Sequence, residues 1–413
     1  MSGTLAKAQT GVNTWLKIYT VPVGTICTIN FRVINHSDLD KTTYVDIASS
    51  MDPNPANIQI SDHLEIDLKL DTNDVYQDNG VIFSGGESIF IRSSGVSCVA
   101  RLSGFIDVLT TPSPAPGQII GTYSVMSIPT DIVHDTVNNV LWVTNNDLSN
   151  NLIKLDASTG AIINAYTLNS TGRGICYDVV NNKIWVVNAN NNTVTKVNSV
   201  TGTVIGSYSV GNSPYGITYD STNDAIWVTN SLSGTVTKLD ADTGSVIGTY
   251  TVGTEPQGIT HDPINNVIWV ANYGSDSITK LNASNGSVIG TYNVGDGPHG
   301  VCYVPSNDTL WVTLNSNNAN VTKLDASNGN VIGTYAIGSG STGICYDHIN
   351  NELWIASFTN NNIIKLNIDN GAVLNTYTAG TNPHSVFYDS ISDAIWVANY
   401  TSKNITKFKA GSI

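Results

Sequence analysis

Apolar and polar positions in residues 119–413 fall into a recurring set of four short runs. In residues 213–252, Pro214-Tyr-Gly-Ile-Thr-Tyr-Asp220 predicts one strand and Ala225-Ile-Trp-Val-Thr-Asn230 a second. Thr235-Val-Thr-Lys-Leu-Asp240 predicts a third and Val246-Ile-Gly-Thr-Tyr-Thr-Val252 a fourth. The runs alternate or carry β-branched and aromatic residues, and Asn, Asp and Gly mark the turns between them. The set recurs seven times. Its clearest marker is a tryptophan in the second run: Trp142, Trp185, Trp227, Trp269, Trp311, Trp354 and Trp396, spaced 42 or 43 residues apart. A period of about 40–45 residues built from four strands marks propeller blades. The pattern therefore predicts an all-β, seven-bladed β-propeller whose first strands line a central channel.

The ends of the repeat region add a prediction. It opens on a fourth-type run, Ile119–Val125, and closes on a third-type run, Asn404–Lys409. Pairing them removes two open sheet edges, so residues 119–125 are expected to complete the last blade and close the ring.

Residues 1–108 read as a separate all-β unit. Runs at 14–20, 25–35, 43–48, 63–70, 81–84, 88–93 and 98–106, with turn signals at Asn79-Gly80 and Gly85-Gly86, predict an N-terminal β-sandwich. Residues 109–118 join the two. Their alternating prolines, Pro112, Pro114 and Pro116, favour an extended, semi-rigid spacer.

Composition narrows the function. The 413 residues are 41% hydrophobic but only 12% charged, with a net charge of −14. Neither unit carries a basic stripe, which argues against nucleic acid and anionic membrane as partners. No apolar run is long enough for membrane insertion, and the first residues lack the apolar core of a signal peptide. Cys176, Cys302 and Cys345 occupy one position of three repeats and read as small buried fillers. Cys27 and Cys98 lie in strand-like runs and could be neighbours. Synthesis in a cytoplasm is expected.

The repeats resemble YVTN/NHL-type propellers, a class that includes the virginiamycin B lyase-like proteins. The resemblance rests on Trp142-Val-Thr-Asn145, Trp227-Val-Thr-Asn230, Trp269-Val-Ala-Asn272 and Trp396-Val-Ala-Asn399, and on the link Val252-Gly-Thr-Glu-Pro-Gln-Gly258. The motif weakens in Trp311-Val-Thr-Leu314 and Trp354-Ile-Ala-Ser357. The first unit resembles a sandwich of tailed-phage, notably cyanophage, virion structural proteins. Tyr19-Thr-Val-Pro-Val-Gly-Thr25, Thr28-Ile-Asn-Phe-Arg-Val-Ile-Asn35 and residues 79–92 leading to Val99-Ala-Arg-Leu-Ser-Gly-Phe105 carry that likeness. It implies a module mounted on a phage particle and assembled in the host cytoplasm.

Seven copies allow the blades to be compared with one another. Lys154, Lys196, Lys238, Lys280, Lys323, Lys365 and Lys407 share one third-strand position. A repeated ion pair or hydrogen-bond clip inside each blade explains them better than a ring of ligand-binding lysines. The tryptophans read as packing between blades. Positions that vary are the candidates. The residue two before each first-strand Ile or its equivalent is Thr130, Arg173, Tyr215, Gln257, His299, Thr342 and His384. Loops from second to third strands add Tyr273, Phe358 and Tyr400 on the same face. Aromatic faces beside amides and hydroxyls suit carbohydrate.

Lyase-like propellers use His with carboxylate-bound Mg²⁺, but acids are scarce here. Glu255 lies one blade from His299, and Glu352 faces the opposite side. The lyase set is not recoverable as a motif, so neither metal nor cofactor is expected and the chain is not expected to be an enzyme. His134, His261 and His348 read as incidental, and the Asp156-Ala-Ser-Thr-Gly160 type of segment as an Asx turn rather than a calcium site. The expectation is a phage virion structural protein, a homo-oligomer in a tail appendage or head decoration. Residues 1–108 would anchor it to other virion proteins, and the propeller would meet host-surface glycan. A docking module within the virion is the alternative, and a lyase-like enzyme the third reading.

Overall fold

A computed structural model describes residues 114–168, 170–316 and 320–411 in full and, of residues 1–113, the strand backbones. The chain divides into two units, Met1–Ser113 and Pro114–Ile413.

Among the described residues of the first unit, eight strands pair into two four-stranded antiparallel sheets. They are β1 Ser2–Thr10, β2 Leu16–Thr20, β3 Thr25–Asn35, β4 Thr43–Ser50, β5 Leu68–Leu70, β6 Val75–Ser84, β7 Ser88–Ser93 and β8 Cys98–Val108. The sheet orders are β1-β8-β3-β6 and β2-β7-β4-β5. β1 was not expected. Asn79-Gly80 is no hairpin turn: it lies inside β6, between the pairs Ile29–Val81 and Phe31–Asp78, where two residues face one, a bulge. Cys27 pairs with Ile106 and Cys98 with Asn35, so the two stand at opposite ends of the β3–β8 ladder, beyond bridging distance. Gly85-Gly86 and residues 63–67 lie outside the described residues.

The second unit is a seven-bladed propeller of four-stranded antiparallel sheets. Blade three shows the pattern: Pro214–Asp220, Ala225–Asn230, Thr235–Asp240 and Val246–Thr251, innermost to outermost. Its second strand is wholly buried, while its fourth alternates exposed and half-buried residues. The first strands of the other blades are Pro129–Asp135, Gly172–Asp178, Pro256–Asp262, Pro298–Val304, Ser341–Asp347 and Pro383–Asp389. Blade seven is completed by Ile119–Ser124 against Asn404–Lys409, with Ile405 opposite Tyr123 and Lys407 opposite Gly121. The end of the proline-rich segment joins this closure: Gly117 N–H donates to the Lys409 carbonyl and Lys409 N–H to Gln118. Residues 117–118 are therefore zipped to the ring and do not act as spacer.

The seven blade tryptophans are fully buried. Each lies against a tyrosine of its blade's outer strand, as Trp185 does on Tyr208 at 5.5 Å. Trp185 also packs on Ile226, Val228 and Leu239 of the next blade, so it fills the inter-blade layer. Trp396 finds its tyrosine, Tyr123, in the closing strand at 5.7 Å.

The lysines correct an expectation. Lys154 Nζ donates at 2.8 Å to the carbonyls of both Ser199 and Val200, which belong to the next blade's outer turn. Lys196, Lys238, Lys280 and Lys323 repeat this bond, and Lys407 carries it across the closure to Ala157. The clip runs between blades, with one of the seven lysines, Lys365, also ion-paired inside its own blade, to Glu352 at 2.5 Å, and each ammonium lies over its own blade's tryptophan, at 5.1 Å for Lys154. The first-strand aspartates cap their own turns: Asp220 accepts from Thr222 and Asn223 N–H. Two histidines read as incidental join adjacent blades instead. His134 Nδ1 lies 3.2 Å from Asp389, and His261 Nε2 lies 3.1 Å from Asp220, with all four side chains at most 6% exposed. Asp156 accepts from Ser158 and Thr159 N–H, the expected Asx turn.

Candidate functional site

Five glycines bring the first strands into close approach at one end of the channel: Gly174, Gly216, Gly258, Gly300 and Gly343 follow the mouth residue in blades two to six. A Cβ at Gly258 would stand 2.1 Å from the His299 carbonyl oxygen, so no larger residue fits without movement. Blades seven and one carry Ser385 and Asp131 instead. There Ser385 Oγ donates to Asp131 Oδ1 at 2.6 Å, and Ile175 N–H of blade two donates to Oδ2 at 3.1 Å. One carboxyl thus ties three blades. Burial pushes it up to about 6 against hydrogen bonds from Ser385, Ile132 and Ile175.

The strands enclose a cavity of about 850 Å³ with Thr130, Arg173, Tyr215, His299 and His384 at the mouth. Three of these converge from alternate blades. Tyr215 Oη lies 3.2 Å from His299 Nε2 and 3.4 Å from His384 Nε2. The Tyr215 and His299 rings meet edge to face with centroids 5.8 Å apart, as do the two imidazoles. Arg173 covers the Tyr215 ring at 5.4 Å. His384 Nδ1 bonds the Thr130 carbonyl at 2.8 Å, and His299 bonds the Thr342 backbone. In both cases the partner is the mouth residue of the next blade.

Burial dominates the electrostatics. It lowers His299 to about 3, aided by His384 and Arg173, and lowers His384 to about 4. Both imidazoles are neutral at pH 7. Burial raises the Tyr215 phenol to about 12.

The loop residues divide. Phe358 and Tyr400 lie 6.0 Å apart, and each faces His384, at 6.3 and 6.1 Å, making a three-ring shelf beside the throat. Asn146 donates to Tyr400 Oη at 3.2 Å, extending the shelf to blade one. Tyr273 stands apart on blade four, against Gly297. Gln257 occupies the blade-four mouth position but does not line the cavity, and its Oε1 is buried without a hydrogen-bond partner among the described residues.

Sequence reasoning missed Asp131 and Ser385. Their signal was available, since they break the glycine column. A second signal lies in the third letter of the tryptophan motif. Thr144, Thr229 and Thr313 donate to the mouth carbonyls of Arg173, Gln257 and Thr342. Tyr215, His299 and His384 instead follow blades that carry Val187, Ala271 and Ala356 there. The magnesium set implied by the lyase resemblance does not fit. Glu255 is exposed, His299 is buried, and no three His, Cys, Asp or Glu among the described residues could share an ion.

Residues 113–335 and 232–399 match a sequence family described as outer membrane protein assembly factor BamB. No curated protein matches the chain. Among solved structures, hydrazine synthase of Kuenenia stuttgartiensis aligns with TM-score 0.62 at 16% identity, over 74% of this chain and 99% of that one. A streptogramin B lyase aligns with TM-score 0.60 at 21% identity, over 70% and 96%. Virginiamycin B lyase from Staphylococcus aureus aligns with TM-score 0.59 at 20% identity, over 68% and 95%. At these identities the likeness shows the fold alone. It still corrects one expectation: the architecture is shared with proteins named as enzymes, so scarce acids and a repeat scaffold do not make this chain a non-enzyme.

Proposed function

This chain belongs to the family described as outer membrane protein assembly factor BamB, and from that premise we propose that its channel mouth is a carbohydrate-binding face. The observation that carries the reading is the Phe358–His384–Tyr400 shelf beside a polar throat. Sugar C–H groups stack on such rings, while Arg173, Asn146 and Tyr215 offer hydrogen-bonding groups to hydroxyls. On the sequence resemblance of residues 1–108, the sandwich those strands would form anchors the protein to a tailed-phage particle, and the propeller meets host-surface glycan. Several copies on one particle would raise a weak single-site affinity through avidity.

A glycan array probed with the full chain tests this. Binding is expected to fall about tenfold in Tyr400→Ala and in Phe358→Ala, the loss of one aromatic contact of about 1.5 kcal/mol. Tyr273→Ala should have less effect. Silence across host polysaccharides would overturn the reading.

The docking alternative has its own support. Outer strands expose an apolar pair in blade after blade, such as Val204-Ile205, Val246-Ile247, Val288-Ile289 and Val331-Ile332, each about half exposed. Such a belt suits protein contact. Cryo-electron microscopy of a particle carrying the protein separates the two: a belt packed on neighbouring subunits with the mouth occluded would favour docking.

A further inference from the structure

We infer that Tyr215, His299 and His384 form a binding site for one divalent transition-metal ion of the zinc class on the channel axis. His384 Nδ1 is tied to the Thr130 carbonyl, and a carbonyl only accepts, so Nδ1 carries the proton and Nε2 presents a lone pair. His299 Nε2 faces the same phenol from blade five, and the Thr342 backbone is a hydrogen-bond partner of its ring. Both Nε2 atoms face one phenol oxygen, at 3.2 and 3.4 Å, so three atoms of metal-ligating type converge from three blades.

The spacing suits a metal. A tetrahedral ion with ligand bonds of ~2.0–2.1 Å has ligand atoms about 3.3 Å apart, which matches both measured separations. The Nδ1–H of His384, bonded to the fixed Thr130 carbonyl, is in the outer-shell arrangement that orients metal-binding histidines. Two nitrogens and a phenolate suit zinc, copper or cobalt rather than magnesium or calcium. The phenolic proton leaves to solvent as the Oη–metal bond forms, and the metal's own charge stabilises the resulting phenolate. The fourth position faces the cavity of about 850 Å³, where a water or a ligand atom completes the tetrahedron. Small neighbours make room: Thr130 and Thr342, on the blades after His384 and His299, leave their carbonyls open to the rings.

This inference does not rest on the carbohydrate reading, and no saccharide is needed to test it. Untagged full chain, stripped with a chelator, would be titrated with Zn²⁺ by calorimetry. The expected result is one ion per chain. His299→Leu and His384→Leu should each weaken binding by at least about tenfold, the scale set by losing even an outer-shell partner. Loaded with Cu²⁺, the wild type should show two nitrogen couplings by electron paramagnetic resonance. A phenolate-to-copper absorption should also appear and vanish in Tyr215→Phe. His261→Gln, which alters a buried histidine on the inter-blade clip, should leave stoichiometry and affinity unchanged. Absent stoichiometric binding, or binding indifferent to the three substitutions, would overturn the site. If a histidine variant does not fold, fewer than two nitrogen couplings in the wild type would do the same.

Discussion

At the scale of single residues, the mouth stores its cost in uncharged histidines. His299 and His384 have folded values of about 3 and about 4, below the ordinary 6.5. As pH falls through about 6.5 the unfolded chain takes up a proton on each, while the folded chain does so only near 4 and below. Their contribution to stability is whole above pH 7 and is lost on acidification, at ~1.4 kcal/mol per histidine per pH unit. Asp131 acts in the opposite sense. Its folded value of about 6 lies above 3.8, so its contribution is present below 3.8 and lost as pH rises through 6. Two histidines outweigh one carboxyl. The denaturant midpoint, followed by tryptophan fluorescence, should fall between pH 6.5 and 4.5, and fall less in the double variant His299→Gln, His384→Gln. Parallel curves for the two proteins would contradict this account. None of it was visible before the structure. Equivalence among repeats places the mouth residues on one ring, but which side chains reach the axis depends on the bulk of their neighbours, as Thr130 and Thr342 show beside the two histidines.

At the scale of strands and blades, contact between copies governs stability. Lys154→Met would strip two carbonyls of the next blade, at Ser199 and Val200, of a donor while keeping the stem's packing over Trp142. A loss of about 1–3 kcal/mol is expected in urea unfolding, the cost of leaving buried acceptors unpaired. Gly258→Ala drives a methyl to within 2.1 Å of a carbonyl oxygen, and strain of ~1–3 kcal/mol should appear in the same experiment. The strands themselves were legible in the sequence, because alternation, turn residues and seven copies all agree on each boundary. The direction of the lysine clip was not. In a strict repeat, a partner in the same copy and one in the next copy have identical patterns, and only the radial geometry separates them. His134 and His261 were misread for the same reason, since their aspartates belong to the preceding blade.

For the molecule as a whole, the ring is held shut by one strand. Deleting residues 119–124 would uncover Trp396, which rests on Tyr123, and leave Asn404–Lys409 as an open edge. Such a protein should melt over a broader range and associate with rising concentration in size-exclusion chromatography, whereas a monomer with an unchanged transition would show the closure to be dispensable. The closure also has a consequence for how the protein is made. Ser124 and Asn404 are about 280 residues apart, so at ~5–20 residues per second a ribosome needs roughly 14–56 s to synthesise what lies between them. Throughout that interval Ile119–Ser124 waits in the nascent chain without its partner, beside blades already emerging and stacking. The ring becomes whole only when translation delivers the final strand. The tempo of the ribosome, more than the speed of collapse, then sets how long that early edge stays open to chaperones or to another copy of itself.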